Sequence, residues 1–139
     1  MKADGFTLIE MLVVLSMLGI MISLALPLQF KLLKEQEEIQ FFSMLESDVM
    51  YIQQRSTLSA DMNRITFNEE SYRITSDEQP SIIRIYPEGL TINTRNERNI
   101  TFNNNGNIKN PRTLYVNSSL NTYRMVFPFG KGRFYLEKQ

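Results

Sequence analysis

Met11-Leu12-Val13-Val14-Leu15-Ser16-Met17-Leu18-Gly19-Ile20-Met21-Ile22-Ser23-Leu24-Ala25-Leu26-Pro27-Leu28-Gln29-Phe30 carries no charged side chain and is bounded by Glu10 and Lys31. These 20 residues would rise about 30 Å as an α-helix, the thickness of a bilayer's hydrocarbon core. A cleaved secretory signal is one competing reading. It needs a basic head, a shorter apolar run and a small-x-small cleavage site. Here Lys2 is offset by Asp4, and the candidate site Ser23-Leu24-Ala25 lies inside the run beside Pro27. A plain signal anchor explains the length but not Glu10. A buried core helix fits poorly with so long a run at this place in the chain.

Glu10 separates these readings. A carboxylate deep in a spanning helix costs about 2.5–3.5 kcal/mol on insertion scales, so an ionisable residue there is read first as functional. The bland alternative is a side chain resting in the headgroup region. Glu10 has company, however. Gly5-Phe6-Thr7-Leu8-Ile9-Glu10, followed by the apolar run, resembles the type IV prepilin signature of a glycine, a phenylalanine, three residues and a glutamate. The resemblance implies that a prepilin peptidase cuts between Gly5 and Phe6. It further implies N-methylation of the new amine on Phe6 and a role for Glu10 in subunit assembly. The short leader carries Asp4 where family leaders are usually basic.

The physical logic agrees with the motif. A cut chain puts a positive amine on Phe6 and a negative carboxylate one helical turn later. Subunits staggered along an axis could pair the two and offset both desolvation costs. Gly19 and Ser23, four residues apart, form a small-xxx-small patch that permits close helix approach. Pro27 removes one helix hydrogen bond and is expected to kink the helix there.

Beyond Phe30 the chain turns charged, at Lys31, Lys34, Glu35, Glu37 and Glu38, without a turn signal. Ile39, Phe42, Leu45, Val49 and Ile52 recur at spacings of three and four, which marks one apolar helix face. One helix is therefore expected from about Thr7 to about Ser56. After Ala60 short β-rich runs alternate with turn residues: 64–67, 72–75, 82–86, 90–92, 99–102, 114–116, 123–127 and 132–136. They predict antiparallel strands. The expected fold is α+β and pilin-like, one long helix packed on an antiparallel sheet. Its expected parts are a leader at 1–5, a transmembrane and polymerisation segment at 6–30, an amphipathic continuation at 31–58 and a β part at 59–139.

Two further stretches carry weaker resemblances. Phe102-Asn103-Asn104-Asn105-Gly106-Asn107-Ile108 is similar to a turn of secretion-system minor pseudopilins of the H type. Tyr123-Arg124-Met125-Val126-Phe127 with Gly130-Lys131-Gly132-Arg133-Phe134 is similar to the end of competence pseudopilins of the ComGD type.

Net charge is zero, and the chain has neither cysteine nor histidine. That removes disulfides, thiol nucleophiles, Cys/His zinc sites and Ser-His triads. No phosphate-binding glycine loop and no calcium-loop spacing occurs, so no enzyme, cofactor or metal is expected. Charge is uneven: residues 30–94 hold six Lys/Arg and eleven Asp/Glu, while 95–139 hold eight and two. Arg112, Arg124, Lys131 and Arg133, with nearby tyrosines, could give weak DNA contact through phosphates and stacking. The alternative is that these side chains face water or a neighbour's acidic half. The pair Glu37-Glu38 is expected on a solvated helix surface, and Asn117-Ser118-Ser119 in a turn.

Taken together, the resemblance implies a minor pseudopilin of a competence-type filament for DNA uptake. Its expected partners are a prepilin peptidase, sister major and minor pseudopilins and the membrane, with DNA touched weakly or indirectly. The expected location is the plasma membrane, crossed once with the amino terminus cytoplasmic, and the cell surface once assembled. A type II secretion pseudopilin and a non-polymerising single-pass protein with an external binding domain are the alternatives.

Overall fold

The computed structural model describes residues 5–58, 63–76, 79–130 and 133–139. One helix, α1, runs Leu8–Leu58. The chain divides into two units, Met1–Gln36 and Glu37–Gln139.

In the first unit the helix starts at Thr7. Its hydroxyl oxygen accepts the Glu10 N–H at 3.3 Å, and its carbonyl accepts the Met11 N–H at 3.2 Å. Thr7-x-x-Glu10 has the sequence form of a capping box, which satisfies amide groups that have no partner within the helix. Every large apolar side chain described between Phe6 and Leu24 is exposed, none being covered by the chain itself. This part of α1 is long and apolar enough to cross a membrane.

The second unit packs the rest of α1 with two antiparallel sheets. Strands β1 (Arg64–Phe67), β2 (Ser71–Ser76), β3 (Gln79–Ile85) and β5 (Asn99–Thr101) form one, in the order β3-β2-β1-β5. Strands β4 (Thr91–Asn93), β6 (Arg112–Asn117), β7 (Thr122–Phe127) and β8 (Tyr135–Lys138) form the other, in the order β4-β6-β7-β8. The expected single sheet is thus two sheets, because β4 crosses to the second and β5 returns to the first. Strand patterns fix which face is apolar but not which strand is the neighbour. Leu45, Val49 and Ile52 of the helix meet Ile65, Phe67 and Tyr72 of the first sheet and Val116, Met125 and Phe127 of the second in one buried core.

The helix stripe differs from expectation at its start. Ile39 is 68% exposed, while Phe41 is buried and Phe42 only packs at the margin. The inward line runs through Glu38, Phe41, Leu45, Asp48, Val49, Ile52 and Ser56. Counting only apolar residues missed the two buried acids and so shifted the phase of the stripe. Most boundaries also move by one to three residues: the helix runs to Leu58, β3 begins at Gln79 rather than Ile82, β6 at Arg112 rather than Leu114, and β8 at Tyr135 rather than Gly132.

The loop from Phe102 to Ile108 joins the layers. Asn103 Oδ1 accepts the N–H groups of Asn105 at 3.0 Å and Asn107 at 2.9 Å. Ile108 bridges to both Phe102 and Gly130. Gly106 sits at φ 74°, where a Cβ would lie 2.8 Å from the Gln53 carbonyl oxygen on α1. The left-handed conformation alone costs a non-glycine residue about 1–2 kcal/mol. Gly106→Ala is therefore expected to lower the melting temperature of the detergent-solubilised chain by at least about 5 °C. An unchanged melt would mean the loop does not hold the helix.

Candidate functional site

The amino-terminal motif lies in the first unit. Gly5 and Phe6 precede the helix, and Phe6 is 79% exposed. Gly5 and Phe6 thus lie outside the helix, in chain without regular secondary structure. Glu10 stands in the first helical turn with its side chain exposed. That position suits a carboxylate, since the amide dipoles leave partial positive charge at a helix start. Sequence reading had overlooked this local role. Pro27 lies inside α1, which is assigned as helix on both sides of it.

In the second unit the notable side chains are acids drawn inward. Glu38, expected on a solvated surface, is 5% exposed, and its Oε2 accepts the Tyr123 hydroxyl at 2.9 Å. Asp48 Oδ2 accepts the Tyr72 hydroxyl at 2.6 Å and the Arg84 Nε–H at 3.2 Å. Burial, reinforced by Asp48, pushes the Tyr72 phenol well above its ordinary value. The hydrogen bond to Asp48 likewise raises Arg84. Tyr72 and Arg84 thus stay protonated donors, and the helix is fastened through Asp48 to the first sheet and through Glu38 to the second. A charge this deep is tolerable only because its oxygens are bonded.

The basic residues singled out for DNA contact are differently occupied. Arg112 holds Glu97 at 2.7 Å and also donates to its backbone carbonyl. This contact keeps the Glu97 carboxyl below its usual range. Arg124 pairs with Glu137 across β7 and β8. Arg133 reaches Glu46 of the helix at 3.1 Å. Lys131 lies outside the described residues. The structure does not gather Arg112, Arg124 and Arg133 into a shared patch through any contact; each faces a carboxylate of its own. Arg95, with φ 55°, stacks over the Tyr115 ring at 5.1 Å.

The outer face of α1 has a different composition. Glu37, Ile39, Gln40, Ser43, Met44, Ser47, Tyr51, Gln54, Thr57 and Leu58 are exposed, and Glu37 alone among them is charged. A helix face meant for water normally carries charge.

Residues 1–26 match the family described as the prokaryotic N-terminal methylation motif. No curated protein and no solved structure matches the chain. The motif supports a pilin-like chain, implying processing by a prepilin peptidase and assembly with other pilin subunits. The apolar N-terminal helix fits a membrane anchor in such a chain.

Proposed function

We propose that this protein is a minor pseudopilin, a structural subunit of a competence-type filament that draws DNA into the cell. The observation that carries the reading is the methylation motif placed directly on the helix that continues into the folded domain. In this reading the helix first anchors the chain in the plasma membrane, with the amino terminus inside and residues beyond Phe30 outside. Cleavage after Gly5 frees the Phe6 amine, which is methylated and pairs with Glu10 of a neighbouring subunit. The exposed face of α1 beyond Glu37, with Ile39, Met44, Tyr51 and Leu58 on it, favours contact with a sister subunit's helix over contact with water. Because Arg112, Arg124 and Arg133 already satisfy carboxylates, their hold on DNA is weak, and the main grip belongs to sister subunits.

Two measurements test this. Mass spectrometry of the protein from membranes should find a chain starting at Phe6 with a methylated amine. A chain starting at Met1 in cells with active prepilin peptidase would overturn the processing. Deletion of the gene should lower transformation frequency by orders of magnitude and leave protein export intact. The opposite outcome would assign the subunit to secretion.

A further inference from the structure

We propose that the outward face of the first sheet is a contact for the phosphate backbone of duplex DNA, held by Arg64, Arg73 and Lys109. The inference rests on the reading that the filament handles DNA, and it gives this chain a contact of its own.

The core takes Ile65 and Phe67 of β1 and Tyr72 and Ile74 of β2. Alternation then sends Arg64, Thr66, Arg73 and Thr75 to the other face of the sheet. The register sets Arg64 between Thr75 on one side and Thr101 on the other, and Thr66 opposite Arg73. Arg64 and Arg73 are therefore diagonal neighbours, with Cα atoms about 7–8 Å apart. The Lys109 N–H donates to the Thr101 carbonyl, next to the bridge between Phe102 and Ile108. Phe102 and Ile108 are both buried, so Thr101 and Lys109 turn outward, to the side of Arg64. Arg64 and Arg73 border a shallow groove of about 470 Å³ with Thr66, Thr75, Ser81 and Asn99. The Thr66 hydroxyl donates to Asn99 Oδ1 at 2.7 Å. That bond leaves the Asn99 amide N–H groups as donors without an acceptor among the described residues.

Three observations select the occupant. Among the described residues Arg64, Arg73 and Lys109 have no carboxylate partner, whereas Arg84, Arg112, Arg124 and Arg133 each hold one. No described acid stands on this face, since Glu69 and Glu70 belong to the turn beyond Phe67. An anion approaching it is thus attracted and not opposed. The groove lining is also arginine, threonine, serine and asparagine, side chains that contact DNA phosphates. Protein–DNA interfaces are more polar and more positive than protein–protein ones. A protein partner would look for an apolar centre, and the exposed Ile83 and Ile85 lie only along the β3 margin. Finally, no described aromatic side chain stands on the face, so nothing there stacks on an unpaired base. The contact is therefore with the backbone of a duplex and is independent of base sequence.

Phosphate contacts are counted by salt. The probe is a fluorescent DNA duplex of mixed sequence, titrated with the full-length chain in neutral detergent. With three contacts, log K should fall against log salt with a slope of about −2.7, a loss of about 40-fold from about 50 to 200 mM. Arg64→Gln with Arg73→Gln should reduce the slope to about −0.9 and leave the melt unchanged. The matched control, Arg124→Gln with Arg133→Gln, removes the same net charge from side chains already paired and should keep the wild-type slope. Equal loss in both pairs would make binding a matter of net charge and overturn the site. Displacement of the duplex by poly-glutamate at equal charge would overturn it in favour of an acidic protein. Tighter binding to a single strand than to the duplex would place the contact at stacking side chains elsewhere, and absence of binding would also refute it. None of these outcomes touches the filament reading, which stands or falls on the Phe6 terminus and on deletion of the gene.

Discussion

Val49→Asp is expected to abolish the cooperative melt of the Glu37–Gln139 unit. Val49 is 1% exposed and packs in the core between the two sheets. The substitution both removes apolar contact and strands a carboxylate without a bonded partner. An uncompensated buried charge costs about 3–5 kcal/mol, a large part of the ~5–15 kcal/mol that holds a domain together. The matched control is Ile39→Asp. Ile39 is on the same helix but 68% exposed, so its change should stay within about 0.5 kcal/mol. All six tyrosines lie between Tyr51 and Tyr135, and there is no tryptophan. Near-ultraviolet dichroism from tyrosine therefore reports this unit alone, even in detergent micelles. Loss of that signal in Val49→Asp with retention in Ile39→Asp is the expected result. Equal loss in both would return Ile39 to the buried stripe and contradict the observed phase of the helix.

That pair of variants marks where sequence reading worked and where it stopped. The long helix was legible because its evidence is local: an uncharged run, no turn signal, then apolar residues every three or four positions. The phase of its buried face was less legible, since Glu38 and Asp48 count as polar in any periodicity. Their partners, Tyr123 and Tyr72, are distant in sequence, so nothing near the acids announces that they are satisfied. Strand positions were readable from alternation and turn residues. Their division between two sheets was not, because it depends on β4 and β5 choosing non-local neighbours. The Phe102–Ile108 loop was noticed as a motif, yet the need for glycine at Gly106 appears only with the Gln53 carbonyl beneath it. Among the basic residues, a count of charge gave a surface; only the fold showed carboxylates opposite Arg112, Arg124 and Arg133.

Glu10 offers the sharper functional test, because two roles for it can be separated by chemistry. As the closing residue of a Thr7-x-x-Glu10 capping box it would help start the helix, a role that glutamine can also fill. As the counter-charge to a neighbour's Phe6 amine it must be ionised, which glutamine cannot supply. Glu10→Gln therefore keeps the helix start and removes only the charge, whereas Glu10→Ala removes both. Glu10→Asp keeps the charge on a shorter arm. If assembly needs the ion pair, Glu10→Gln should fall close to Glu10→Ala, with Glu10→Asp between them and wild type. Cleavage after Gly5 should continue in all three, since the cut precedes the helix. Breaking a desolvated pair costs about 3–5 kcal/mol, so protein recovered in sheared filaments should drop by at least about tenfold. Transformation frequency should fall in parallel. If capping were the whole role, Glu10→Gln would match wild type in both measurements and only Glu10→Ala would fall. If the residue merely rested at the membrane surface, Glu10→Asp would behave as wild type, and Glu10→Ala and Glu10→Gln would do the same or insert more readily, because neutralising a charge lowers the cost of entering the bilayer.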